Sequence, residues 1–460
     1  MKIDFEHLGG IEKGSIELND FTVFCGKNNS GKTYVMYALY GLLDNRFKIS
    51  FDFVKPIVET LRREGSYCID IAELIAQHKL EMVQHIQERF KEYLPTLFGV
   101  TDKEFINTKI VLHFSGERQN KGSENEEQFL QTMDGVGGFW KLLLESKNGK
   151  IQITFNHNPV AVYDSFLHEI HNNSLQVSIS EKLTDMFFFD RPYFYNSFLL
   201  PAERSGTNLF FKELFSIRNL LLQHAQNDNV NPMNLLKDVL GSRYAEPVKN
   251  YIQFLNNIGS KQLEVSVYSE YAEFIEKNVL NGKYEVDEFG NVFFLPIDNK
   301  DKLPLHFSSS TVKTLFGLVF YLKHIAKPSN YLMIDEPELN LHPDNQREVA
   351  RILAQLVNAG LKVVVSTHSN YFMREINNLI MLKNEFVGVK ELREKYGYHE
   401  NELLDNRRVS AYLFDKKSIF PMPIAEEGII VETFDTVTDA LNQSSDDIYF
   451  TMQDAKETDD

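Results

Sequence analysis

Apolar positions along the chain switch repeatedly between two periods. Residues 2–25 read as strand: Ile11 to Leu18 alternates in part, and Phe21-Thr22-Val23-Phe24-Cys25 is a near-continuous apolar run, the pattern of a strand buried on both faces. From Tyr34 to Leu43 the spacing becomes helical. Between residues 44 and 193 it predicts helices over 51–63 and 69–93. The second is long and polar-faced, with Lys79, Glu81, Gln87, Glu88, Arg89 and Lys91, which reads as a solvated amphipathic helix. Residues 108–114 and 151–155 read as strands, 115–127 as a polar loop, and the aromatic tract 185–200 as strand and core. Helices follow over 208–226 and 232–257. Strands return over 284–307, with Glu288-Phe289-Gly290-Asn291 as a hairpin turn. A helix is predicted over 312–325, a buried strand over Tyr331-Leu332-Met333-Ile334, a helix over 345–359 and a second buried strand over 361–368. Residues 409–416 and 428–441 read as a small closing β-hairpin and helix.

Three of these strands end in chemistry. The first runs into Gly26-Lys27-Asn28-Asn29-Ser30-Gly31-Lys32-Thr33, which fits G-x-x-x-x-G-K-[ST] with a strand before it and a helix after. Gly26 and Gly31 let the backbone curl so that its N–H groups face a phosphate chain, and the helix N-terminus adds positive potential. Lys32 then suits the β- and γ-phosphates, and the Thr33 hydroxyl suits magnesium. The strand 331–334 ends in Asp335 and Glu336. Desolvating two carboxylates costs several kcal/mol each unless they are paired or bind metal, so a magnesium ion for the first and a water for the second give the pair a purpose. The strand 361–368 ends in Ser366-Thr367-His368, beside those acids.

Two further stretches carry polar groups at element ends. Ser308-Ser309-Ser310-Thr311 opens a helix with more hydroxyls than one cap requires, and offers them with free N–H groups to an anion; Lys313 lies in the first turn. Leu199-Leu200-Pro201-Ala202-Glu203-Arg204-Ser205-Gly206 ends a strand in charge. Its Arg204 is open between facing phosphates or a neighbouring subunit and forming a structural ion pair with Glu203.

The bulk composition narrows the setting. At 460 residues the chain exceeds one ordinary core, so two or three domains are expected. A net charge of -17 disfavours wholesale wrapping of nucleic acid, because phosphates repel an acidic body. Two cysteines, Cys25 and Cys68, give no disulfide framework and suit a reducing compartment. The N-terminal residues lack a signal-peptide core and no apolar run approaches the length of a bilayer span, so the expectation is a cytoplasmic protein without membrane contact.

The order GKNNSGKT, DEPELNLHP, STHS resembles that of ABC-type ATPase heads, in the branch that holds the OLD nucleases and SMC-like proteins. The resemblance covers about residues 1–43, 194–210 and 284–385. It implies an α/β fold: an ABC-type P-loop ATPase head, a mixed sheet with flanking helices, bearing a mainly helical inserted lobe and a small C-terminal α+β extension. The domains expected are 1–43 with the phosphate loop, 44–193 as the mostly helical lobe, 194–283 as a strand and helical arm, 284–385 as the rest of the head, and 386–460 as an extension with an acidic tail. The resemblance also implies ATP and Mg2+ as cofactors. Gly26, Lys27, Asn28, Asn29, Ser30, Gly31, Lys32 and Thr33 would hold phosphate, and Thr33 and Asp335 the metal. Glu336 would be the general base, and His368 the switch histidine at the γ-phosphate. Ser308, Ser309, Ser310 and Lys313 occupy the place of the signature sequence that reaches a partner head's γ-phosphate. Ser310 stands where a glycine is usual.

Beyond His368 the sequence has no D-x-D pair at a strand end and no H-N-H or H-x-x-H cluster, so no nuclease is expected in this chain. A stand-alone ATPase of this size with LLPAERSG and STHSNYF resembles the ATPase partners of bacterial two-gene anti-phage systems: the AriA proteins of PARIS first, then the PtuA proteins of Septu and retron systems. That resemblance implies a homo-oligomer, head to head, holding a separate nuclease effector, Toprim-type and AriB-like, and releasing it on a phage-encoded trigger protein. An SMC-like DNA-repair or DNA-tethering ATPase is the alternative, with DNA as the disfavoured partner. A non-catalytic nucleotide-binding protein is the third reading.

Overall fold

The computed structural model describes residues 2–43, 49–113, 130–134, 140–147, 150–157, 174–184, 197–211, 244–259, 264–288, 290–298, 301–430 and 440–452. The expected loop over 115–127, most of the aromatic tract 185–200 and much of the helical stretch 208–257 lie outside them. The chain divides into two compact units that interleave in sequence: residues 1–17, 34–198 and 237–250 form one, and 18–33, 199–236 and 251–460 the other.

In the first unit, β1 (Lys2–Leu8) pairs antiparallel with β2 (Ile11–Glu17). The helix α1 (Lys32–Leu43) runs mostly within this unit. The inserted stretch holds α2 (Lys55–Glu64), β4 (Ser66–Asp70), α3 (Ile71–Phe98) and β5 (Lys109–His113), of which β5 pairs antiparallel with β1. It also holds β6 (Leu130–Asp134), β7 (Trp140–Lys147) and β8 (Lys150–His157). Here β4, β8, β7 and β6 form a four-stranded antiparallel sheet beside the helices. Helical spacing from residue 69 onward conceals its first strand. Tyr67 and Ile69 belong to β4, and α3 starts only after Asp70, whose carboxylate caps it by accepting from Glu73 N.

The second unit is built on parallel strands. Its sheet runs from β16 (Ser418–Pro421) through β15 (Val409–Asp415), β3 (Phe21–Gly26), β14 (Lys362–Thr367) and β13 (Tyr331–Asp335) to β9 (Ser197–Leu200). The pairs β15–β3, β3–β14 and β14–β13 are parallel, and β15–β16 is antiparallel, so the sheet is mixed. β3 and β13 are buried along their whole length, as their unbroken apolar runs require. The helices α4 (Ser310–His324), α5 (Pro343–Asn358) and α6 (Asn370–Met381) bury apolar faces in this unit. A small sheet of β10 (Gly282–Val286), β11 (Val292–Pro296) and β12 (Leu303–Pro304) contains the expected hairpin at 287–291.

The closing hairpin forms as β15 and β16, yet β15 also runs in register beside β3, from Val409 opposite Phe21 to Phe414 opposite Gly26. Register matters most at one edge. Asp335 stands opposite Ser366, and Thr367 opposite Cys25, so β3, β13 and β14 deliver their last residues to the same end of the sheet. That edge is where parallel α/β sheets place ligands. No helix among the described residues is long and apolar enough to cross a membrane.

Candidate functional site

The loop after β3 has the backbone a phosphate cradle needs. Gly26, Asn29 and Gly31 have φ of 145°, 62° and 97°. At Gly26 a β-carbon would stand 2.4 Å from the Phe414 carbonyl oxygen, so no other residue fits. Lys32 is buried, and its Nζ donates to the Gly26 and Lys27 carbonyls at 2.8 and 2.9 Å. Burial pulls its pKa down, and Asp335 and Glu336 push it back up. Ser30 Oγ is buried with no hydrogen-bond partner. An ammonium turned onto its own loop carbonyls and an unpartnered hydroxyl beside it are what a loop shaped for an anion leaves over.

The paired acids separate as soon as their partners are seen. Thr33 Oγ1 donates to Asp335 Oδ2 at 2.8 Å, and Ser366 Oγ to Asp335 Oδ1. Asp335 is thus fixed against the phosphate loop by two hydroxyls, and Thr33 and Asp335 offer oxygen donors side by side, the donor set that suits Mg2+. Glu336 leaves the strand in the left-handed region, φ 54°, with its N–H on the Ser366 carbonyl at 3.0 Å. Burial pushes its carboxyl up, His368 opposes that shift, and Asp335 reinforces it.

His368 Nδ1 lies 3.5 Å from Glu336 Oε1 and 3.5 Å from Glu338 Oε1. Glu338 is 5% exposed. Its Oε1 accepts from Thr367 Oγ1 at 2.7 Å and from His368 N at 2.9 Å, while Oε2 is buried without a partner. The histidine therefore sits between two carboxylates, above a cleft of about 360 Å³ whose lining includes Glu338, Asn340, Gln346 and Tyr371.

Lys32, Thr33, Asp335, Glu336 and His368 thus gather at one sheet edge. Ser308–Lys313 form a second locus at the start of α4. Ser309 caps the helix, its Oγ accepting from Val312 N at 3.3 Å, and Ser308 Oγ donates to the Pro304 carbonyl at 3.2 Å. Ser309 and Ser310 are exposed. Arg204 takes neither of the two places open to it in the sequence. Its guanidinium donates to backbone carbonyls at the end of β13 instead of to Glu203: Nη1 to Asp335 O and Nη2 to Glu336 O, both at 2.6 Å. Backbone acceptors leave no trace in a sequence, so no signal pointed there.

A glycine-curled loop opening a helix with Lys-Thr, its threonine bonded to the acid that ends a parallel strand two places away, defines a P-loop nucleoside-triphosphatase site with a mixed sheet and flanking helices. The chain belongs to the AAA ATPase domain family, whose profile matches residues 1–192 and 212–373. Among solved structures it is similar to the SMC head domain from Thermotoga maritima, at 11% identity and TM-score 0.30, over 92% of this chain and 98% of that one. It is likewise similar to a Smc head domain with an extended coiled coil bound to the C-terminal domain of ScpA, from Pyrococcus furiosus, at 11% identity and TM-score 0.30, over 96% and 98% of the two chains. No curated protein matches it.

Proposed function

We propose that this chain binds and slowly hydrolyses ATP as a switch for assembly, each head closing on a second copy and carrying a separate effector. The observation that carries the catalytic part is the junction of Thr33 and Asp335 with Lys32 folded onto its own loop beside them. Lys32 exchanges its carbonyl acceptors for the β- and γ-phosphate oxygens, and the N–H groups of 27–33 take the rest of the chain's charge. Thr33 and Asp335 would hold Mg2+, which when bound neutralises phosphate charge. Glu336 orients the attacking water and accepts its proton as the water oxygen bonds to the γ-phosphorus and the bond to the β-phosphate oxygen breaks, releasing ADP and phosphate. A carboxyl raised by burial is a better base for that step. His368, hinged between Glu336 and Glu338, senses the γ-phosphate. Ser309, Ser310 and Lys313 face a second copy's nucleotide, while Ser308, buried and bonded to the Pro304 carbonyl, shapes the turn before them.

The effector is a nuclease, Toprim-type by preference, released when a phage-encoded trigger protein is met. This part is supported by the motif resemblance and by a net charge that disfavours DNA as the ligand. The domain division at residues 43, 193, 283 and 385 belongs to the same reading.

The test is ATP turnover with Glu336→Gln alongside. Removing a general base lowers the rate by roughly 100-fold or more and should trap an ATP-bound oligomer visible by sedimentation. A wild-type chain that neither hydrolyses ATP nor changes its assembly on binding it sinks the switch. Co-expression with the product of the neighbouring gene decides the effector: co-purification released by a phage extract supports it, and ATP turnover raised by DNA instead favours the tethering alternative.

A further inference from the structure

The stretch 201–211 holds a densely bonded polar cluster outside the nucleotide groups. Arg204 is 2% exposed, as buried as the apolar core. No carboxylate bonds it among the described residues. Its donors go to three backbone carbonyls: Pro201 at 3.1 Å, and Asp335 and Glu336 at 2.6 Å each. Burying a guanidinium costs several kcal/mol unless its donors are met and opposite charge is near. Here three carbonyls meet them, and the acids at the end of β13 supply the charge.

Two consecutive carbonyls aimed at one cation is unusual geometry. Along an extended strand successive carbonyls point to opposite edges. The left-handed φ of 54° at Glu336 is what lets them converge. That backbone state costs a non-glycine residue on the order of 1 kcal/mol or more, and persists where surrounding groups impose it. Arg204 grips the carbonyl on each side of the turn, and Ser366 holds the N–H within it.

The same helical turn reaches α4. Asn208, one turn on from Arg204, donates its amide to the Lys313 carbonyl at 2.6 Å and accepts from Tyr251 OH at 2.7 Å. Ser205 Oγ bonds Thr314 Oγ1 at 2.8 Å and accepts from Asn340 Nδ2 at 3.1 Å. Asn340 lies four residues past Glu336 and is itself left-handed, φ 58°. One turn, 204–208, therefore ties the backbone of Glu336, the loop after it and the first turn of α4.

We propose that Arg204 is a positioning residue for the hydrolytic step: it sets the backbone of Glu336, and Ser205 and Asn208 couple that setting to the start of α4. This rests on the reading of Glu336 as general base. Arg204 touches neither the phosphate loop nor the reacting atoms, so its effect falls on the chemical step and spares nucleotide affinity. When anything engages the first turn of α4, the movement passes through Asn208 and Ser205 to the catalytic carboxylate.

The experiment separates binding from chemistry. Affinity for a fluorescent ATP analogue with Mg2+ and the single-turnover hydrolysis rate are measured for wild type, Arg204→Lys, Arg204→Gln and Asn208→Ala. A misplacement of about 1 Å in a catalytic group costs up to 100-fold in rate. Arg204→Gln should lose at least 10-fold in single-turnover rate with affinity within about 2-fold, and Arg204→Lys, which keeps the charge but not the fork, should fall between. Asn208→Ala leaves the buried guanidinium in place, and should also lower the rate at unchanged affinity. It carries the test alone where Arg204→Gln does not fold. Rates equal to wild type, or affinity falling in step with rate, overturn the assignment. A wild-type chain without ATP turnover overturns the function proposed above, and is told apart because it precedes any comparison of variants.

Discussion

At the scale of single residues, the site is held by groups whose neighbours leave no second choice. Gly26 combines a φ of 145° with a carbonyl 2.4 Å from the place a β-carbon would take. Gly26→Ala should therefore destabilise the chain by about 1–3 kcal/mol and weaken nucleotide binding at least tenfold, read by thermal melting and by titration with a fluorescent analogue. Glu338 offers a second case. Truncation to alanine strips the acceptor from Thr367 Oγ1 and His368 N, each unsatisfied donor costing about 1–3 kcal/mol, whereas Glu338→Gln keeps an oxygen there. The alanine variant should melt lower and turn over more slowly than the glutamine variant; equal behaviour would mean that the charge, not the acceptor, matters. These residues also mark what the sequence could and could not say. Lys32, Thr33 and Asp335 were legible because their chemistry needs fixed types at fixed spacing. Glu338 lies in the same DEPE run, but its bonds to Thr367 and His368 could not be read there, since those partners come from another strand. Arg204 was visible as an oddity and opaque as a part, because its acceptors are carbonyls that every residue possesses.

At the scale of elements, period decided what could be read. β13 and β14 announced themselves as unbroken apolar runs, and α5 by its 3.6-residue spacing. β4 did not, because its apolar residues merge into the helical pattern of α3. β7, with Leu142-Leu143-Leu144 in its middle, has no alternation to show. The side-by-side seating of β15 and β3 has no local signature, since parallel partners are remote in sequence. Packing of α5 on α6 is secured by a buried ionic cluster: Glu375 accepts from Arg351 Nε at 2.6 Å and from Arg347 Nε at 2.8 Å, and Arg351 stacks over Tyr398 at 4.0 Å. Burial alone would raise the Glu375 carboxyl, but the hydrogen bonds from Arg351 and Arg347 outweigh it and hold it below the usual 4.5. A carboxylate depressed on folding stabilises above its unfolded value and loses that contribution as pH falls through its folded one. Glu375→Gln should cost about 3 kcal/mol near neutrality. Its melting temperature should approach that of wild type as pH drops from 5 toward 3. A gap that stays constant would mean that the ion pairs contribute nothing.

At the scale of the whole molecule, charge and chain order set the terms. A body of net charge -17 must draw an anionic nucleotide through local cations such as Lys27 and Lys32. Duplex DNA should not be retained at about 150 mM salt, where screening reaches only about 8 Å; retention that vanishes steeply with added salt would show a basic groove at work. The pairing of β15 with β3 has a consequence in time. β3 leaves the ribosome long before its neighbour β15, with about 380 residues between Gly26 and Val409, on the order of tens of seconds of synthesis. Once His368 has emerged every signature residue of the nucleotide site exists, yet for about 40 residues more the strand that seats the phosphate loop has an open flank. Ending the chain after Arg408 should therefore abolish nucleotide binding while leaving each motif intact, as checked by binding to the truncated protein beside the full chain. A nascent chain is therefore expected to hold nucleotide only once β15 has emerged to pair with β3.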